Sequence, residues 1–150
     1  IVDLFQEVKE SVQFNCEEKN ISIKFQKNYS PIFVEADRSK IAQVATNLIN
    51  NSISYNNEGG STEIRFHKMD DSILCEVSDN GPGIDEKLLP RLFERFYRVE
   101  QSRNRNEGGS GLGLAIVKHI IESHEQTIHA RSTVGVGSTF SFTLAKGKTN

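Results

Sequence analysis

Two stretches of this chain carry apolar residues at every second position: Ile73, Cys75 and Val77, and later Phe140, Phe142 and Leu144. Successive side chains on a strand point to opposite faces, so such stretches build a sheet with one apolar face. That face has to be covered, and the chain carries the cover. Leu4, Val8, Val12 and Cys16 recur every four positions and predict a helix over 3–19. Ile41, Val44, Ala45, Leu48, Ile49 and Ser52 form the inward stripe of a second, from a capping Asp37 to about 56. Leu114, Val117, Ile120, Ile121 and His124 mark a third over about 111–125. Further strands are expected over Ile21–Phe25, 62–69, 72–79, 127–133 and 138–145, with Pro31–Glu35 a loop or minor strand. Asp70 and Asp71 turn the middle pair into a hairpin, and short helical pieces are expected across 85–97. The expected fold is α+β: a two-layer sandwich of about five strands, mostly antiparallel, under three main helices.

A chain of 150 residues fits one domain and buries roughly 70% of its unfolded surface. At 36% hydrophobic and 25% charged it has the means to form that core, so disorder is excluded. A net charge of -2 leaves no electrostatic footprint for nucleic acid or an acidic membrane, and no apolar run is long enough to span a bilayer. Cys16 and Cys75 stand far apart in apolar patterns, which predicts two buried reduced thiols. The chain opens on Ile1 and its sole methionine is Met69, so a piece of a longer protein is expected.

Four patches carry chemistry. Asn47, Asn51 and Tyr55 are spaced i, i+4, i+8 and stack in one row along the second helix. A carboxamide oxygen suits Mg²⁺, which prefers oxygen donors; a plain polar helix face is the other reading. Asp79 continues the inward face of its strand into Asn80-Gly81-Pro82-Gly83. A carboxylate there is costly unless something bonds to it, and the exocyclic amine of adenine would do so; an exposed turn aspartate is the alternative. Gly108-Gly109-Ser110-Gly111-Leu112-Gly113 runs straight into the third helix, where backbone amides and the helix dipole favour phosphate. Ile116 stands where a dinucleotide fingerprint needs glycine or alanine, and the spacing is not that of a Walker loop. Gly135-Val136-Gly137-Ser138-Thr139 alone is only a turn before a strand.

Taken in order, with the phenylalanine-rich Leu92-Phe93-Glu94-Arg95-Phe96-Tyr97-Arg98-Val99 between the second and third, these patches resemble the asparagine, glycine and phenylalanine boxes of bacterial sensor histidine kinases. The resemblance covers about 37–144 and is nearest to membrane sensors of phosphate limitation or cell-wall stress that partner OmpR-like response regulators. It implies the Bergerat ATP-binding fold, with ATP and Mg²⁺ as ligands. By position, Asn51 would ligate Mg²⁺, Asn47 would line the same pocket, Tyr55 would lie against the nucleotide and Asp79 would accept the adenine amine. Gly81 and Gly83 would turn the backbone beside the base, and Ser138, where threonine is usual, would complete the adenine site through water. Gly109, Gly111, Leu112 and Gly113 would hold the phosphates. Residues of about 84–110 would form a lid, with Arg98 its phosphate contact and Arg103 and Arg105 solvated.

One departure stands out: many relatives carry a phosphate-reaching lysine where this chain has Ser54. The resemblance implies transfer of the γ-phosphoryl group to a histidine on a separate dimerisation domain, which this chain lacks. It places the domain on the cytoplasmic side, beneath a membrane-anchored parent and with no membrane contact of its own. None of His67, His119, His124 or His129 has the acceptor's context, so the chain should not label itself; His124 is expected to be a packed structural residue. Hydrolytic ATPases of the same fold place a glutamate four residues before the metal-binding asparagine as general base. Asn47 stands there, and an amide cannot take a proton. A degenerate interaction module is the third reading, and Ser54 is its best support. Phe93, Phe96 and Tyr97, at i, i+3, i+4, read as core packing beneath the lid, or as a docking face for histidine-bearing helices.

Overall fold

A computed structural model describes residues 1–97 and 112–148. The elements run α1 (Val2–Ser11), α2 (Gln13–Lys19), β1 (Ser22–Phe25), β2 (Val34–Glu35), α3 (Arg38–Ser54), β3 (Ser61–Lys68), β4 (Ser72–Asp79), a 3₁₀ turn (Glu86–Arg91), α4 (Gly113–Ser123), β5 (Ile128–Thr133) and β6 (Gly137–Lys146). The sheet order is β1-β3-β4-β6-β2, and β5 also pairs with β6. Among the described residues only the β1–β3 pair is parallel. The expected two-layer α+β sandwich is therefore present, with the minor strand at 34–35 as its sixth member.

The inward stripes meet as their periodicity demands. Val44, Ala45, Leu48 and Ile49 of α3 and Val117 and Ile121 of α4 are fully buried against Ile64, Ile73, Cys75, Val77, Phe142 and Leu144 of the sheet. Phe5 of α1 is also inaccessible, edge-on to Phe66 at 5.3 Å and stacked on Phe142 at 6.4 Å. Burying a side chain of that size contributes about 1.5–3 kcal/mol. Cys16 and Cys75 are buried free thiols, and burial pushes the pKa of each upward.

The single helix expected over 3–19 is two. The Ser11 hydroxyl donates to the Val8 carbonyl at 2.7 Å, and Val12 leaves helical geometry between α1 and α2. A serine bonding back into its own turn bends a helix in this way. The apolar row nevertheless continues, because Val12 and Cys16 stay buried across the bend. Asp37 caps α3 as expected, accepting from the Lys40 amide at 3.1 Å.

His124 ends α4 rather than completing its face. It is half-buried and structural: Nδ1 lies 2.8 Å from the Ile120 carbonyl, and Nε2 accepts the Asp37 amide at 3.1 Å. The imidazole is thus the neutral Nδ1–H tautomer and joins the end of α4 to the start of α3. The phenylalanine-rich segment divides. Leu92 is buried and Phe93 packs edge-on against Phe140 at 6.2 Å, whereas Phe96 is 66% exposed, and the Arg91 guanidinium covers Tyr97.

On the face of the sheet away from the helices, periodicity alone predicts solvated residues. Glu76 there is only 5% exposed. Its carboxylate accepts from Arg65, His67, Arg131 and Ser141 at 2.9–3.2 Å. Burial pushes its pKa up, but the hydrogen bonds from Ser141, Arg65 and His67 and the charge of Arg65 outweigh this and lower it from 4.5 to about 2. Because the folded value lies below the unfolded one, the ionised carboxylate stabilises the fold. That contribution is complete above pH 4.5 and fades as the pH falls toward 2. Thermal melts should therefore drop steeply across that window in the parent, and Glu76→Gln should flatten the decline; identical slopes would contradict the assignment.

Candidate nucleotide site

At the end of the sheet β3, β4 and β6 are in register so that Thr62, Asp79 and Ser138 lie side by side, with Ser132 of β5 opposite Ser138. All share the inward face. Thr62 is completely buried and its hydroxyl meets that of Ser52 on α3 at 2.6 Å. Ser138 and Ser132 share a hydroxyl contact of 2.7 Å, and the Ser132 hydroxyl also accepts the Ile84 amide at 2.7 Å. A polar row thus crosses the floor of an otherwise apolar layer, with one carboxylate at its centre.

Asp79 is held through a single oxygen. Oδ1 accepts the Gly81 amide at 2.9 Å and the Ser138 amide at 3.3 Å, while Oδ2 has no hydrogen bond among the described residues. Burial raises the Asp79 pKa above 3.8 despite those two amides. A half-buried carboxylate with one oxygen open is an acceptor waiting for a donor. Gly81 closes the space beside it: a Cβ there would stand 3.1 Å from Asp79 Oδ1, from Asn56 Oδ1 and from the Tyr55 carbonyl oxygen. Gly83, at φ +78°, packs so tightly on Thr133 that any Cβ would overlap its carbonyl. It shapes the loop from below.

The asparagine row of α3 faces the other wall. Asn47 Nδ2 donates to the Gly113 carbonyl at 3.5 Å, at the first residue of α4, and Leu112 is the N-cap. Asn51 lies one turn further on, half-buried, its side chain making no hydrogen bond among the described residues. Asn50, between them, bonds instead to Asn15 at 3.2 Å. Tyr55, half-buried, is the C-cap of α3. The structure thus brings Tyr55, Asp79, Gly81 and Ser138 together at one end of the sheet, with Gly83 packed on Thr133, while Asn47 meets Gly113 beside Leu112 and Asn51 continues the same row of α3. Arg98, Gly109 and Gly111 lie outside the described residues, as does the far part of the expected lid.

At Ser54, where the resemblance expects a lysine, a cation arrives from elsewhere. Lys19 of α2 donates to the Ser54 carbonyl at 2.7 Å and the Ile53 carbonyl at 3.2 Å, capping the negative end of α3. Residues 36–148 match the family described as histidine kinase-, DNA gyrase B-, and HSP90-like ATPase. The chain belongs to that family.

Its relatives place it on the histidine kinase side. It is 42% identical over 115 residues to the sensor histidine kinase WalK of Bacillus subtilis, covering 75% of this chain and 19% of that protein. It is 46% identical over 99 residues to the signal transduction histidine-protein kinase BaeS of Escherichia coli, covering 66% and 21%. The chain thus spans about a fifth of the length of these relatives. Among solved structures, the catalytic domain of histidine kinase ThkA superposes with a TM-score of 0.84 at 31% identity, covering 97% of this chain and 92% of that one. ThkA in complex with response regulator TrrA gives 0.80 at 29%, covering 98% and 40%. Full-length ShkA in complex with AMPPNP gives 0.82 at 26%, covering 97% and 30%. The fold is the Bergerat fold, and this is a histidine kinase catalytic ATPase domain.

Thr62, Ser52, Ser132, Asn56 and Asn80 belong to the site's frame, and sequence reasoning gives none of them a role. Ser52 stands in the inward stripe of α3, Asn80 in the glycine loop, and Thr62 is a hydroxyl at the inward parity of Ile64 and Phe66.

Proposed function

We propose that this domain binds ATP with the adenine amine on Asp79 and donates the γ-phosphoryl group to a histidine on the separate dimerisation domain of a two-component sensor kinase. The observation that carries the reading is the open Oδ2 of Asp79, a half-buried acceptor whose other oxygen is held by the Gly81 and Ser138 amides. Tyr55 would flank the nucleotide, with Ser138 and Gly83 at the adenine end. Leu112 and Gly113, with Gly109, Gly111 and Arg98, would meet the phosphates, and the segment of about 84–110 would close over them. Asn51 and Asn47 offer neutral oxygen donors of the kind Mg²⁺ accepts, and the ion when bound neutralises charge on the phosphate oxygens.

In the transfer, a lone pair of the acceptor imidazole attacks the γ-phosphorus in line and the bond to the bridging oxygen breaks. ADP leaves, and the proton on the imidazole's other ring nitrogen passes to solvent. Positioning supplies most of the rate. Two of the chain's own histidines are engaged elsewhere, His67 with Glu76 and His124 between two helices, so self-labelling is not expected. Asn47 presents an amide that donates to Gly113 O, which disfavours a hydrolytic role.

The parent would be anchored in the membrane with this domain on its cytoplasmic side, and would signal to an OmpR-like response regulator. Among the described residues no helix is long and apolar enough to cross a membrane. The ThkA complex with TrrA is a precedent for a regulator partner. Mixing the chain with a kinase histidine domain and radiolabelled ATP tests the assignment. Phosphohistidine is the expected product; free phosphate without acceptor would make the domain a hydrolase, and neither would make it a binding module. Asn51→Ala should lower transfer by roughly 100-fold, because the phosphates lose their metal-set position; undiminished activity across a Mg²⁺ titration would remove Asn51 from the metal.

A further inference from the structure

Asn56 follows α3 directly and is 4% exposed, an unusual place for a carboxamide. Its polar atoms are all used. Oδ1 accepts the Asn57 amide at 2.7 Å, while Nδ2 donates to the Ser61 carbonyl at 3.1 Å and to Asn80 Oδ1 at 3.3 Å. The two ends of the amide cannot be exchanged, because a backbone N–H only donates and a carbonyl only accepts. Asn80 is bound twice to the same residue: Oδ1 accepts the Ser61 amide at 2.8 Å, and its own amide donates to the Ser61 carbonyl at 3.3 Å. Asn80 thereby extends the β3–β4 ladder one step past the Thr62–Asp79 pair.

These bonds converge on the loop that aims Asp79. The Asn56 carboxamide oxygen lies 3.1 Å from the space a Cβ on Gly81 would fill, the same distance as Asp79 Oδ1. Gly81 in turn donates the 2.9 Å bond that turns Oδ1 inward and leaves Oδ2 open. We propose that the Asn56–Asn80 clasp is the specificity device of the site: a pair of positioning residues that lock the Gly81 amide onto Asp79 and so aim its second oxygen at a 6-amino purine. This rests on Asp79 being the adenine acceptor, and adds what makes that acceptor selective. Without the clasp Gly81 can drift, the carboxylate can rotate, and the 6-amino group loses the acceptor that favours it over a 6-oxo group.

The measurement is binding of ATP and of inosine triphosphate, which carries a carbonyl in place of the amine, by titration calorimetry alongside thermal melts. The parent should prefer ATP by roughly tenfold or more, the worth of one charge-assisted hydrogen bond. Asn56→Ala and Asn80→Ala should each lose most of that preference through weaker ATP binding, with inosine triphosphate affinity little changed. Asn80→Asp keeps the accepting oxygen and should retain the preference. Asn80 is exposed, so its variants remain informative if Asn56→Ala fails to fold. A preference undiminished in the folded alanine variants would overturn the clasp while leaving the adenine assignment standing. No preference in the parent would overturn both.

Discussion

Asp79→Ala is expected to bind ATP more weakly than the parent by roughly 1.5–3 kcal/mol, the loss of a hydrogen bond to a charged acceptor. Alanine also strands the Gly81 and Ser138 amides, which now donate to Oδ1. Asp79→Asn separates the two effects. Its carbonyl can keep both amides, which forces its NH₂ into the place of Oδ2, a donor facing the donor amine of adenine. It should lose ATP as badly as alanine does and still fold.

The stability of this asparagine variant has its own sign. Burial raises the Asp79 pKa, so the folded chain holds that proton more tightly than the unfolded one. Asp79 then favours folding below its unfolded pKa, and that contribution is lost as the pH rises through the folded value. At neutral pH the ionised group is a cost that binding recovers. The nucleotide-free Asp79→Asn chain should accordingly melt no lower than the parent, while calorimetry shows its ATP affinity weakened as far as in the alanine variant. Unchanged affinity in either variant would refute the adenine assignment.

The largest loss of stability is expected at Gly137→Ala. Gly137 opens β6 at φ +144°, where L residues are strained, and a Cβ would overlap the Asp79 carbonyl oxygen. Backbone cannot swing aside as a side chain can, so strain and overlap together should cost about 3 kcal/mol or more. The damage lands on the ladder that sets Ser138 beside Asp79. Chemical denaturation should show the midpoint falling. Gly135→Ala is the control for space: it too has a positive φ, +83°, but nothing stands within 4 Å of its Cβ position, so it should lose clearly less. Equal losses at the two positions would mean that backbone strain alone, not the collision with Asp79, sets the effect.

How far the site could be read from the chain differs residue by residue. Inward parity marked Asp79 as anomalous because an acid on an apolar face demands a partner, and helical spacing put Asn47 and Asn51 in one row. Both are short-range periodicities, and both survive folding. The break at Ser11 was not readable, since a serine on an exposed face is equally compatible with a straight helix. Glu76 was not readable either: its partners Arg65, Arg131 and Ser141 come from three other strands, two of them more than fifty residues away.

The same division holds for the domain as a whole. Alternation in β4 and β6 and the stripes of α3 and α4 determined that a half-covered sheet would form and which face of each element would be dry. Local periodicity suffices for that, because burying apolar surface depends only on which residues share a face. Register is a different matter. That Thr62, Asp79 and Ser138 stand in one row, and that Asn56 and Asn80 meet at Ser61, depends on how distant strands slide past one another, which loop lengths and packing of the whole core decide together. Only the tertiary structure could place a bare carboxylate oxygen at the centre of that row.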